Sequence, residues 1–139
     1  MPDRRQDRGR RRAAERVDAL AHDPVVPALY FRLRAASSYA TTLIDLRRFK
    51  EAKRVLLKVL PVAQRALGTE HDLTLSLRED LCRATLYGES SSNEKRKALQ
   101  MLEDTVAVMR RVLGTAHPDT QRTQHNLEIY RKMCPGPTA

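Results

Sequence analysis

From Pro27 to Met133 the apolar positions of the chain return at steps of three and four, the rhythm of one face of an α-helix, and no segment alternates with period two. Ala52, Val55, Leu56, Val59, Leu60 and Ala63 form one stripe, and Ala98, Met101, Leu102, Val106 and Met109 form another. Leu29, Leu33, Ala36, Ala40 and Leu43 mark an earlier helix that runs up to Arg47-Arg48. The two later stripes both end in Leu-Gly, at Gly68 and Gly114. Glycine can take the left-handed conformation that closes a helix, so the helices should stop there. Pro118 then suits the first turn of the next helix, where its missing N–H does no harm, and Asp119 puts negative charge near that N-terminus. Between Gly88 and Glu94 the run ESSSN is polar and helix-poor, which predicts a turn lengthened by insertion. The expected helices lie near 27–46, 49–67, 72–88, 94–113 and 118–133. A short helix is expected near 11–21, with loose chain over 1–10 and 135–139.

The pattern is also duplicated. LGTEHDLT starts at Leu67 and LGTAHPDT at Leu113, an offset of 46 residues. The same offset carries Ala52, Leu56, Leu60 and Arg65 onto Ala98, Leu102, Val106 and Arg111. A register kept over some thirty positions is a repeated structural unit. The two stripes are therefore the second helices of two successive hairpins, spanning about 27–67 and 72–113, and a final helix follows at about 118–133.

Composition sharpens this without redirecting it. Trp is absent and aromatic residues make up 4% of the 139 residues, so one all-helical domain is expected over 27–134. Cys82 lies in an apolar helical stretch and Cys134 next to Pro135, which suggests neither a disulfide framework nor a metal knuckle. The net charge is +9, and residues 1–16 hold seven Arg against Asp3, Asp7 and Glu15. Residues 1–26 thus read as a basic, partly disordered arm with a short helix. Such an arm offers an alternative function, association with nucleic acid, although no aromatic side chain interleaves with its arginines for base stacking. No apolar run is long enough to cross a bilayer, so no membrane partner is expected, and a reducing cytoplasmic compartment is the default. Nuclear or organellar targeting by the arm stays open.

Catalytic and metal chemistry find no support in the pattern. Ser90, Ser91 and Ser92 lack a nucleophile-elbow context, Gly68 and Gly114 stand alone rather than in a phosphate-cradling cluster, and no H-E-x-x-H occurs. His71 and His117 recur once per repeat in the link, and His22 and His125 have no partner at i, i+4, so the histidines read as structural. Tyr87 and Tyr130 read as core. Neither enzymatic activity nor a cofactor or metal is expected.

The phrases LGTEHDLT and LGTAHPDT, FKEA at Phe49 to Ala52 and HNLEIY at His125 to Tyr130 resemble the kinesin light chain class of tetratricopeptide repeats. The resemblance covers about residues 28–133. It implies antiparallel helical hairpins stacked into a short right-handed solenoid whose first helices line a concave groove, and a non-enzymatic scaffold that binds a partner protein or peptide there. The family's repeated groove Asn falls on Ser38, Asp80 and Asn126, of which only Asn126 keeps the amide. One turn away stand Arg34, Thr41 and Asp45 in the first helix, Ser76, Arg83 and Tyr87 in the second, and Arg122 and Ile129 in the third. A groove so lined leans basic and favours an acidic peptide. Three departures stand out. Asp72 replaces the link proline, Arg96 and Lys97 replace the aromatic before Ala98, and Glu128 replaces a small packing residue, which suits a helix that ends the stack. Two and a half repeats fall below the roughly three that such arrays need, so either dimerisation or a place in a longer array is expected.

Overall fold

The computed structural model describes residues 4–6, 8–12 and 25–133. Five helices follow one another along the last of these stretches: α1 (Val25–Asp45), α2 (Phe49–Leu67), α3 (Asp72–Tyr87), α4 (Ser92–Val112) and α5 (Pro118–Met133). Among the described residues there is no strand. Each helix packs against its successor, and α1 also packs against α3. The result is a stack of helical hairpins, α1–α2 and then α3–α4, completed by α5.

The boundaries follow from local chemistry. Gly68 and Gly114 have φ of +93° and +98°, the left-handed region that a side chain would strain. The Gly68 N–H donates to the Gln64 carbonyl at 3.1 Å and the Gly114 N–H to the Met109 carbonyl at 3.2 Å, so freed carbonyls at both helix ends are satisfied. The end of α1 uses the same device without glycine. Arg47 takes φ of 60°, its N–H donates to the Ile44 carbonyl (2.9 Å), and the Arg48 N–H donates to Leu43 (2.8 Å).

The link histidines act as N-terminal caps. His71 Nδ1 accepts from the Leu73 N–H and His117 Nδ1 from the Asp119 N–H, both at 3.1 Å. Each supplies an acceptor to an amide that has no partner within its helix. Burial lowers the His71 pKa below its ordinary value, which suits a ring that must keep a lone pair on Nδ1. The serine-rich run is shorter as a turn than its composition suggested. Ser91 Oγ accepts from the Glu94 N–H at 3.2 Å, and this cap lets Ser92 and Asn93 join the first turn of α4.

The core divides about α3. On one side Leu33, Leu43, Ile44, Leu56, Leu60, Leu77 and Leu81 pack together, and on the other Cys82, Leu86, Leu102, Val106, Leu127 and Tyr130. Because α3 is covered on both sides, its buried positions run almost continuously from Thr74 to Leu86. Tyr130 is buried, whereas Tyr87 is 44% exposed, stacked on Phe49 (6.0 Å between centroids) and edge-on to Tyr130 (5.2 Å). Glu128 is exposed on the last helix.

The N-terminal arm departs from the loose chain expected over 1–10. Residues 4–6 and 8–12 are helical, and the Arg10 guanidinium donates to the Arg111 carbonyl in the last turn of α4 at 3.1 Å. A cation at a helix C-terminus is electrostatically favoured. The helix expected near 11–21 is described only at Arg11 and Arg12. The remainder of it, with Cys134 and 135–139, lies outside the described residues.

Candidate functional site

The first helices of the successive units, α1, α3 and α5, bring six of the ten groove candidates together. Thr41, Ser76, Asp80, Arg83, Arg122 and Asn126 line a pocket of about 500 Å³, joined by Ser37 and Glu79. Arg34 and Ser38 line an adjoining pocket of about 470 Å³ with Tyr30, His71, Asp72 and Leu73, and Ser37 and Ser76 belong to both. Asp45, exposed at the end of α1, and Ile129, 37% exposed on α5, line neither.

The floor of the first pocket is a polar network that crosses all three helices. Thr41 Oγ1 of α1 donates to Asp80 Oδ2 of α3 at 3.2 Å, and Arg83 stands 3.5 Å from the other Asp80 oxygen. Next to it Glu79, with its side chain only 4% exposed, receives Thr123 Oγ1 and Asn126 Nδ2 of α5, each at 3.1 Å, while Arg122 approaches to 3.6 Å. Arg122 also pairs with Asp119 at 3.4 Å. Burial first, and then the neighbouring Glu79 carboxylate, push Asp80 up to about 6, against the opposing pull of Arg83, the Thr41 hydroxyl and Arg122.

This geometry narrows one expectation about the groove and corrects another. One N–H of the Asn126 amide is already engaged by Glu79, while the residue still lines the pocket. Charge in the pocket does not lean basic, because Arg83 and Arg122 face two buried carboxylates. Glu79 is the residue that sequence reasoning missed. A signal for it existed: Arg78-Glu79-Asp80 interrupts the run from Leu73 to Leu81 in the one helix that must be covered on both sides. The second pocket differs. Arg34 lies over the Tyr30 ring at 6.0 Å and has no carboxylate partner among the described residues.

Among the described residues no group of three or more His, Cys, Asp or Glu side chains could hold a metal ion, and no helix is long and apolar enough to cross a membrane. No curated protein and no solved structure matches the chain. A family model does, the tetratricopeptide repeat, over residues 32–72 and 89–119. The first match covers most of the α1–α2 hairpin and its link, and the second covers α4 and the link into α5. Between them lie residues 73–88, nearly all of α3, where the Glu79–Asp80 floor is built. The matched segments make up a little over half of the chain, and with the stacked hairpins and the duplicated link they show that it belongs to the tetratricopeptide-repeat family, in its kinesin light chain-type class.

Proposed function

We propose that the chain holds an extended segment of a partner protein along the face shared by α1, α3 and α5. Tetratricopeptide repeats are non-catalytic scaffolds that mediate protein–protein interactions. The observation that carries the reading here is the pair of adjoining pockets, lined by successive first helices and joined through Ser37 and Ser76. Hydroxyls at Ser37, Ser38 and Ser76 offer donors and acceptors to a peptide main chain, which suits an extended ligand. A preference for acidic side chains rests on Arg34, whose guanidinium forms no ion pair among the described residues, more than on Arg83 and Arg122, which already face Asp80 and Glu79.

Photo-crosslinking from Ser76, which belongs to both pockets, tests this. A crosslinked partner should appear from Ser76 and not from the exposed Lys58 on α2. Arg34→Glu should weaken its capture by replacing attraction with repulsion. Capture that survives Arg34→Glu and fails only when residues 1–12 are deleted would transfer the function to the basic arm.

A further inference from the structure

A second crevice shares no residue with the groove. It lies between the N-terminal half of α2 and the turn from α3 to α4, and encloses about 670 Å³. Phe49, Leu57, Ala84 and Tyr87 supply its apolar side chains. Leu57 is 54% exposed, and Tyr87 is held in place between Phe49 and Tyr130 while keeping nearly half its surface open.

The rim is cationic in a specific way. Arg48 is paired with Glu51 at 2.6 Å and Lys53 with Glu94 at 3.4 Å, which leaves Arg47, Lys50 and Arg54. None of these three has an ion pair or side-chain hydrogen bond among the described residues. Lys50, Arg54 and Leu57 follow one another at steps of four and three, so two free cations and an exposed leucine share one face of α2. Arg47 stands at the α1–α2 turn with φ of 60°, where the corresponding stops of α2 and α4 use glycine. A side chain kept at a strained position on a binding rim points to a use for that side chain.

We propose that this crevice is a second protein-docking site, which takes an acidic segment carrying an apolar anchor: the anchor packs on Leu57 and Tyr87, and flanking carboxylates meet Arg47, Lys50 and Arg54. Charge complementarity selects the occupant. A nucleic-acid strand fits less well, because Glu51, Glu89 and Glu94 stand along the same rim and a continuous phosphate chain could not avoid them. A peptide can place its acids at the cations alone. The site is independent of the groove, so one chain could join two partners, or two segments of one partner.

Fluorescence anisotropy with a labelled synthetic peptide, a Leu-Phe pair flanked on both sides by glutamates, tests the proposal on the full chain. Saturable binding is expected, weakening as salt rises. Lys50→Glu with Arg54→Glu should weaken it by about tenfold or more, and Leu57→Ser should also weaken it, since all three side chains are exposed and the fold does not depend on them. Lys132→Glu, on the exposed end of α5 outside both the groove and the crevice, should leave it unchanged. The proposal is overturned if the peptide does not bind saturably, if a lysine-flanked version binds as well, or if the double reversal has no effect. It is equally overturned if a single-stranded oligonucleotide competes for the crevice with higher affinity.

Discussion

Asp80 makes the floor of the groove measurable through pH. Its pKa is raised from an ordinary 3.8 to about 6, so the folded chain holds this proton more tightly than the unfolded chain does. The resulting stabilisation is fully present below about pH 3.8 and is lost as pH rises through about 6. A difference of about two pH units corresponds to about 3 kcal/mol in all, and roughly 2 kcal/mol of it falls between about pH 4.5 and 7.5. Asp80→Asn removes the titration while keeping an oxygen that can accept from Thr41. Urea unfolding of both proteins across that range should therefore show the variant gaining on the wild type by roughly 2 kcal/mol as pH rises. The constant offset between the two curves carries other effects of the amide, but the change in offset with pH reports the titration of Asp80 together with its coupling to Glu79. His71 works in the opposite direction: its lowered pKa gives stability at high pH that is lost on acidification. It is present in both proteins and cancels from the difference. Parallel curves would refute the reasoning, because Asp80 would then ionise in the fold as it does in water and its burial beside Glu79 would carry no cost.

Three further outcomes are expected. Leu56→Ala and Leu102→Ala, at fully buried positions on the stripes of α2 and α4, should each lose about 2–5 kcal/mol in denaturant unfolding, a large share of the roughly 5–15 kcal/mol of an ordinary domain. Thr74→Val should stabilise the fold by on the order of 1 kcal/mol in the same measurement, since the Thr74 hydroxyl is fully buried without a hydrogen-bond partner among the described residues. His71→Ala and His117→Ala should each lose about 1 kcal/mol through the missing cap, and the loss at His71 should shrink as pH falls and the wild-type ring itself becomes protonated.

The sequence revealed the fold through features that act locally. A stripe at steps of three and four commits a segment to a buried helix face, and the left-handed glycines stop α2 and α4 next to their predicted ends. The 46-residue offset then sets the order of the hairpins. The start of α4 was less legible, because a serine run reads as loop until one hydroxyl, that of Ser91, is seen to cap the helix. At the candidate site a shared face was legible and its charge was not. Residue spacing placed Thr41, Ser76, Asp80, Arg83, Arg122 and Asn126 toward one pocket, yet it gave no account of what each would pair with. That depends on Glu79, which helix spacing leaves ambiguous because α3 buries nearly its whole circumference. The second crevice lay further out of reach, since it joins the start of α2 to a turn some forty residues later.

In a solenoid each unit touches only its neighbours, so a stack this short has few interfaces over which to distribute its stability. The polar floor adds ties across them. Thr41 with Asp80 joins α1 to α3, and Glu79 with Thr123 and Asn126 joins α3 to α5. Side chains lining the groove thus also hold the stack together, and the two roles cannot be varied separately at every position. A ligand carboxylate drawn to Arg122 would compete with Glu79 for it, and Arg122→Glu would set a third carboxylate beside Glu79 and Asp119. Partner loss in that variant could follow from a loosened α3–α5 contact as well as from a lost recognition group. Arg34 carries no such tie, since it lies over Tyr30 at the edge of the second pocket. Its reversal should change partner affinity while leaving the unfolding midpoint in place, so Arg34 is the position at which recognition and stability can be told apart.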